Sequence, residues 1–237
     1  MSTLPSEQRP AVKPWEPAEL GAFLDHVQDH RLGVLFEVMA TCGLRRGEAL
    51  GLRWSDVDLM QGNLTVRQQL LSRWDENGPA FGPPKTKAGE HRVIEVDSQT
   101  LGGLIGHRLT QDVEREQWGT GYEDWDLLFC QENGRHYDAS KITKNFTVLS
   151  REAGLRHVRL HDLRHGSASL MLAAGIPVEV VSKRMGHSSF AITHSTYSHL
   201  LEGVGRRAAE AAVNLVPRAP KLLRDNIVTT SPAEHVQ

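Results

Sequence analysis

Hydrophobic residues recur at helical spacing at the start of the chain. Leu20, Phe23 and Val27 fall on one face of a helix that Pro17 opens. The same periodicity predicts a second helix in the stretch RLGVLFEVMATCG and a third over 45–60, which ends at a Gln-Gly turn. The first part of the chain is therefore predicted to be helical.

The pattern changes in the middle of the chain. Three short stretches, NLTVRQQLL, AFGPPKTK and HRVIEVD, contain β-branched residues and partial alternation of polar and apolar positions. Turn signals at DENGP and KAGE separate them. Because this combination is typical of strands joined by turns, the sequence predicts a small antiparallel sheet of three strands.

Helical spacing returns at Ser98 and continues to the end of the folded chain. The predicted helices cover 98–117, 138–153, 161–174, 177–185 and 189–198, with a last one after Leu200. The expected fold class is α+β, mainly helical with a small three-stranded antiparallel sheet. Residues 1–14 are predicted to be a linker or N-terminal arm, 15–218 one folded domain, and 219–237 a loosely ordered C-terminal tail.

The composition is ordinary for a globular protein, with 39% hydrophobic and 24% charged residues in a chain of 237. No apolar run is long enough to span a membrane, and the N-terminus lacks the apolar core of a secretory signal. Cys42 and Cys130 lie far apart with no metal-ligand pattern around them. We therefore expect a reduced, cytoplasmic protein that does not associate with membranes.

The net charge of −2 hides an uneven distribution. From Lys141 to His187, eight Lys or Arg stand against three acids, whereas from Gln111 to Asp126 six acids stand against Arg115. One basic face would suit a nucleic-acid partner, but ordinary surface charge explains the same counts equally well. The charge alone does not decide between them.

Five polar clusters carry the candidate chemistry. In chain order they contain Arg45 with Glu48, Lys85 with Lys87, His161 with Arg164, His187, and Tyr197. Two guanidiniums bind a phosphate by bidentate hydrogen bonds, which suits a phosphodiester whose transition state gains negative charge. A phenol reacts at neutral pH only with help from a base or a nearby positive charge. A neutral His and a Lys can supply the base and the acid, so no metal or other cofactor is required.

These clusters resemble the motifs of the tyrosine recombinases, the phage integrase family. The matching stretches, in the family's order and spacing, are GLRRGEALGLRW, PPKTKAGEHRVIEV, HDLRHGSASLMLAAG, RMGHSS and THSTYSHL. The resemblance covers roughly Trp15 to Arg218 and implies that residues 15–218 form a catalytic domain of this family, with its mainly helical fold.

The resemblance implies a role for each matching residue. Arg45 and Arg164 resemble the two arginines that clamp the scissile phosphate. His161 resembles the histidine that takes the tyrosine proton, and His187 resembles the residue that hydrogen-bonds the phosphate and buttresses the site. Glu48 resembles the acidic residue that supports the site beside the first arginine.

The remaining two roles define the implied reaction. Tyr197 resembles the nucleophile, and Lys85 resembles the β-hairpin lysine that acts as general acid on the 5′ oxygen. Lys87 is the alternative, because residues two apart on a strand face the same side. The implied reaction forms a 3′-phosphotyrosyl intermediate and frees a 5′ hydroxyl, after which a 5′ hydroxyl from a partner duplex completes strand exchange. The covalent bond conserves the phosphodiester energy, so neither ATP nor a metal ion is implied.

The resemblance also implies partners. Double-stranded DNA is the expected substrate, and the expected protein is a homotetramer in the synaptic complex and a monomer when free in solution. DNA-contacting residues are expected among Lys87, Lys141, Lys144 and Arg159. Relatives carry a further N-terminal domain that clamps DNA. We therefore expect either a catalytic fragment or a naturally short protein, which would bind DNA weakly by itself.

Four alternatives stay open. A type IB topoisomerase shares the Arg, Lys, His and Tyr chemistry but lacks this spacing of HDLRHG and GH. A non-catalytic DNA-binding regulator on the same fold would bind DNA without forming an adduct. His161 and His165 could hold a metal from one helix face, although no third ligand at a suitable spacing is evident. The helix after Leu200 packs either on a neighbouring protomer, as in relatives, or on its own domain.

Overall fold

The computed structural model describes residues 13–75 and 78–197. This part of the chain is mainly helical with two small antiparallel sheets, which confirms the α+β fold class. The predicted arm up to residue 12, the helix after Leu200 and the tail over 219–237 lie outside the described residues. No helix among the described residues is long and apolar enough to cross a membrane.

Eight helices are described over this part of the chain, and seven match the predicted positions. They are α1 (Pro17–Val27), α2 (Gly33–Cys42), α3 (Arg46–Gly51), α4 (Ser98–Trp118), α5 (Ala139–Glu152), α6 (Asp162–Ala173), α7 (Val178–Met185) and α8 (Phe190–Tyr197). The start of α1 shows why the sequence signal works. The Glu16 N–H donates to the Glu19 carboxylate at 2.7 Å, and Pro17 occupies the first turn, where a missing N–H breaks no hydrogen bond.

The third helix is shorter than predicted. Its expected course over 45–60 was wrong, because the chain becomes extended at Leu52 and bonds to a distant segment. The Leu128 N–H donates to the Leu52 carbonyl at 2.8 Å, and the Trp54 N–H donates to the Asp126 carbonyl at 2.9 Å. Only a short 3-10 turn follows. Pairing between distant residues has overridden the local helical periodicity here.

The strands pair differently from the prediction. They are β1 (Val57–Asp58), β2 (Asn63–Val66), β3 (Gln69–Asp75), β4 (Gly78–Gly82) and β5 (Arg92–Glu95). One three-stranded antiparallel sheet has the order β1-β2-β5, and β3 and β4 form a separate hairpin. The predicted strand NLTVRQQLL therefore splits in two. It divides where the Gln68 side chain donates to the Gly51 carbonyl at 2.9 Å and ties the chain to α3.

Aromatic side chains fill the main core. Trp15, Phe23, Phe36 and Phe146 come from the segment before α1, from α1, from α2 and from α5, and their contacting ring centroids lie 4.9–5.6 Å apart. All four are buried, and burying each ring contributes roughly 2–3 kcal/mol. This cluster holds α1, α2 and α5 together.

A smaller hydrophobic cluster joins α6, α7 and α8. Its buried members are Ala168, Leu172, Val181, Met185 and Tyr197. Gly43, at the end of α2, reaches this region with a φ of 64°, and a Cβ there would lie 2.7 Å from the Met185 sulfur. Because only glycine permits both the conformation and the approach, Gly43 brings the end of α2 against α6 and α7. Four of the predicted site residues lie around this junction: Arg45, Arg164, His187 and Tyr197.

Candidate active site

Arg45 and Glu48 form the first part of the site. Arg45 is the residue before α3, and Glu48 lies in its first turn. The Glu48 carboxylate accepts hydrogen bonds from the Arg45 N–H at 2.9 Å and from the Arg45 Nη1 at 2.8 Å. Glu48 thus both caps the helix and holds the guanidinium in one orientation, as the spacing of three residues predicted.

Arg92 is a second partner of Glu48 that the sequence analysis missed. It begins β5 and is buried, and its Nη2 and Nη1 donate to the two Glu48 carboxylate oxygens at 2.7 and 3.2 Å. Arg92 also donates to the carbonyls of Gly89 and Arg184, each at 3.2 Å. It therefore ties the sheet, α3 and the end of α7 into one unit. An available signal was its position two residues before Ile94, on the inward face of the strand.

Arg164 lies on α6 and is almost fully buried. Its Nη1 donates to the Gly43 carbonyl at 2.5 Å, and its Nη2 donates to the Met185 carbonyl. Both acceptors are neutral. Burial, and next the charge of nearby Arg45, lower the pKa of Arg164 to about 9, so the guanidinium stays protonated at neutral pH.

The two guanidiniums converge on one turn of the chain. Arg164 donates to the Met185 carbonyl, and Arg45 Nη2 approaches the next carbonyl, that of Gly186, at 3.5 Å. The two positive charges repel each other, and water screens this repulsion only weakly because the site is buried. An anion bound between them would remove this repulsion. The arrangement therefore favours a phosphate or a similar oxyanion.

His187 follows Gly186, the left-handed residue that ends α7. Its Nδ1 lies 2.7 Å from the Thr193 hydroxyl on α8. Burial, then the charges of Arg164 and Arg45, lower the pKa of His187 to about 4, so the ring is neutral at pH 7. His187 was predicted from the sequence, whereas its hydroxyl partner Thr193 was not.

Tyr197, at the end of α8, is 4% exposed and lies in the smaller hydrophobic cluster. Its hydroxyl oxygen is 2.7 Å from the Nδ1 of His165 on α6. Burial raises the pKa of Tyr197 to about 12, although the charge of Arg164 opposes this effect. His165 was predicted from the sequence only as one half of a possible metal pair, so this contact is new.

His161, the predicted proton acceptor, precedes α6 and lies against His165. The two rings meet edge to face, with centroids 5.1 Å apart. Burial, followed by His165 and Arg164, lowers the pKa of His161 to about 4. Within the described residues no group of three or more His, Cys, Asp or Glu could hold a metal ion.

The predicted lysines lie at the surface. Lys85 and Lys87 are both exposed on the segment between β4 and β5. Thr86, between them, donates its hydroxyl to the Gly186 carbonyl at 3.0 Å, which anchors this segment to the arginine pair. Lys141 and Lys144 are exposed on α5. Arg159 is exposed as well, but its guanidinium pairs with Asp162 at 2.8 Å.

The lowered pKa of Glu48 predicts that the protein loses stability in acid. Its two arginine partners outweigh the burial that acts against ionisation, and its pKa falls from 4.5 to about 2. Since the native state releases this proton more readily than the unfolded chain, the stabilisation is complete above pH 4.5 and disappears as pH falls through about 2. We expect this carboxylate to contribute roughly 3 kcal/mol to the fall in unfolding free energy. Urea unfolding of wild type and Glu48→Gln from pH 6 to pH 2 measures it, because their difference must shrink in acid; a constant difference would contradict the prediction.

The fold matches that of integrase catalytic domains. Residues 15–203 match the profile of the Phage integrase family, and the chain belongs to that family. A XerC-like tyrosine recombinase of Caldanaerobacter subterraneus subsp. tengcongensis is 29% identical, over 86% of this chain and 54% of its own. The integrase of Staphylococcus phage L54a is 26% identical, over 76% of this chain and 51% of its own. The chain thus spans about half the length of the curated relatives it matches.

Solved structures share the fold. The Tn1549 transposon integrase, in complex with a circular intermediate DNA, superposes with a TM-score of 0.72 at 22% identity, over 88% of this chain and 68% of that one. The catalytic domain of bacteriophage HP1 integrase gives a TM-score of 0.53 at 17% identity, over 88% of this chain and 99% of that one. At these identities the likeness concerns the fold alone.

Proposed function

We propose that this chain is the catalytic part of a site-specific DNA recombinase that cleaves and rejoins strands through a 3′-phosphotyrosyl intermediate. The observation that carries the proposal is the pair of converging guanidiniums, Arg45 and Arg164, whose charges repel each other until an anion binds. A tyrosine hydroxyl hydrogen-bonded to an imidazole belongs to the same unit, since α6 bears both Arg164 and His165. An anion site beside a phenol suits phosphoryl transfer to that phenol.

The proposed step assigns each group one task. Arg45 and Arg164 hold the non-bridging oxygens of the scissile phosphate, and neutral His187 donates a further hydrogen bond to them. The Tyr197 oxygen attacks phosphorus, and its proton passes to an imidazole beside it. The bond from phosphorus to the 5′ oxygen breaks, and Lys85 protonates that oxygen. Rejoining reverses these transfers when another 5′ hydroxyl attacks.

The partners follow from this reaction. Double-stranded DNA is the substrate, and exchange between two duplexes requires several protomers, which supports a homotetramer in the synaptic complex. We propose 15–218 as the catalytic domain, with Lys87, Lys141 and Lys144 contacting DNA from the surface. Arg159 joins them if DNA phosphates compete with Asp162 for its guanidinium. A DNA substrate and the unpaired cysteines, Cys42 and Cys130, support a cytoplasmic location.

Covalent capture tests the function. DNA with a bridging 5′-phosphorothiolate releases a thiolate that cannot readily reverse the reaction, so an intermediate accumulates. A pool of sequences flanking the gene in its host genome supplies candidate sites, and a denaturing gel detects the adduct. An adduct at a preferred sequence supports the proposal. DNA binding without any adduct would indicate a regulator, and plasmid relaxation at no preferred site would indicate a topoisomerase.

Lys85→Ala should slow cleavage of ordinary DNA by about 100-fold or more, because the departing 5′ alkoxide then lacks its acid. Cleavage of phosphorothiolate DNA should stay near the wild-type rate, since a thiolate leaves without protonation. Lys87→Ala is the matched control, because Lys87 is also exposed and lies two residues away, and saturating protein keeps a lost DNA contact from lowering the rate. Single-turnover rates on both substrates measure the effect. If Lys87→Ala slowed cleavage of ordinary DNA and Lys85→Ala did not, the general acid would be Lys87.

A further inference from the structure

The contact between α6 and α8 brings a histidine outside the predicted site set onto the predicted nucleophile. His165 Nδ1 lies 2.7 Å from the Tyr197 hydroxyl oxygen, whereas His161 packs on His165 with its ring at 90°. We propose that His165 is the group that positions the Tyr197 hydroxyl and accepts its proton during attack, with His161 supporting His165. This inference rests on the proposed function and deepens it.

Among the described residues, the other side chains packed around Tyr197 fix its ring but not its hydroxyl. The ring lies among Ala168, Leu172, Val181 and Met185, which are apolar. Apolar packing cannot orient an O–H bond, so the hydrogen bond to His165 sets that last degree of freedom. It also joins residues 32 positions apart in the chain and so couples α8 to α6.

The direction of this hydrogen bond follows from the chemistry of the two groups. A phenol is a good donor and a neutral imidazole nitrogen is a good acceptor, so the Tyr197 hydroxyl donates to Nδ1 and the His165 proton resides on Nε2. Burial lowers the pKa of His165 and raises the pKa of Tyr197, which keeps both groups neutral at pH 7. The ionisable groups around His165 are Arg159, His161, Asp162, Arg164, His187 and Tyr197.

The Asp162 carboxylate favours proton transfer from Tyr197 to His165. Its carboxylate raises the pKa of His165, against the effects of burial, Arg164 and Arg159. When a lone pair of the Tyr197 oxygen forms the bond to phosphorus, the phenol proton moves to His165 Nδ1. The resulting imidazolium then has a carboxylate close to it. In rejoining, the tyrosine oxygen leaves phosphorus and takes the same proton back.

One helix thereby contributes to both the phosphate clamp and the positioning of the nucleophile. Arg164 and His165 are consecutive on α6, so their side chains diverge by about 100° around the helix axis. Arg164 lies between the carbonyls of Gly43 and Met185, and His165 holds the phenol. The guanidinium of Arg164 and the hydrogen-bond partner of the phenol are therefore fixed relative to each other by the backbone of α6.

The test pairs His165→Gln with His161→Gln. Single-turnover adduct formation on phosphorothiolate DNA is followed from pH 5 to pH 9. We expect the rate of adduct formation at pH 7 to fall by about 100- to 1,000-fold in His165→Gln. In wild type the rate should also fall at low pH, because the base becomes protonated, and His165→Gln should lack this fall, which is the acid limb of the pH–rate profile. His161→Gln should keep the acid limb, and its rate of adduct formation at pH 7 should fall by less than about 10-fold. Circular dichroism and DNA affinity check that both variants fold.

A second readout needs no DNA. Nitrogen-15 NMR of the histidines in wild type should show the His165 proton on Nε2, and Tyr197→Phe should change that signal. A proton on Nδ1, or wild-type rates in His165→Gln alongside a lost acid limb in His161→Gln, would overturn the assignment. If wild type forms no adduct, the proposed function fails, and the proton transfer fails with it. Adduct formation at an unchanged rate in His165→Gln refutes only the role of His165.

Discussion

Tyr197→Phe is expected to abolish covalent capture of DNA while leaving the fold and the DNA affinity close to those of wild type. The phenyl ring still fills the space between Leu172, Val181 and Met185, so the packing is retained. The substitution removes the hydrogen bond to His165, which should cost about 1 kcal/mol. Without the oxygen no phosphotyrosyl bond can form, and the gel should show no adduct at any time.

Tyr137→Phe is the matched control. The Tyr137 hydroxyl also has a defined partner, since it accepts a hydrogen bond from Arg31 Nε at 2.9 Å, and burial likewise raises its pKa to about 12. It lies in the segment before α5 rather than beside the arginine pair. Tyr137→Phe should therefore form adduct at the wild-type rate. An adduct that survives in Tyr197→Phe would show that another residue is the nucleophile.

Parts of the site could be predicted from sequence because their contacts are local. Arg45 and Glu48 are three residues apart, and their hydrogen bonds follow from the start of one helix. The contacts that were missed join distant positions. Arg92 and Glu48 are 44 residues apart, and His165 and Tyr197 are 32 apart. Periodicity within one element carries no information about which elements meet.

The fold shows the same limit. The predicted positions of α4 to α7 agree with the structure to within about two residues, because their periodic patterns end at clear signals such as Gly154 and Gly175. The predicted helix beyond α3 failed because Leu52 bonds to Leu128. The residues from 45 to 60 carry no information about Leu128, which is far away in the sequence. The local hydrophobic periodicity therefore predicted the type of most elements, whereas pairing between distant segments decided where some of them end.

Glu48→Gln should destabilise the protein by about 3–5 kcal/mol, the largest stability effect that we expect at the site. Glu48 is fully buried, and its carboxylate receives hydrogen bonds from Arg45 and Arg92. Glutamine has nearly the same shape but no charge, so the substitution leaves the buried Arg92 guanidinium without a counter-ion. Its amide group would also direct N–H donors at a guanidinium that itself only donates. Urea unfolding at pH 7 measures the loss.

Asp56→Asn separates this effect from the general loss of a buried carboxylate. Asp56 is also buried and also binds two arginines, Arg53 at 3.0 Å and Arg67 at 2.6 Å. Those arginine side chains are 33% and 42% exposed, whereas Arg92 is 5% exposed, so water can solvate them when the charge is removed. Asp56→Asn should cost less than half as much as Glu48→Gln. Equal losses would mean that the burial of Arg92 does not set the cost, and that the strand, α3 and α7 are held together by other contacts.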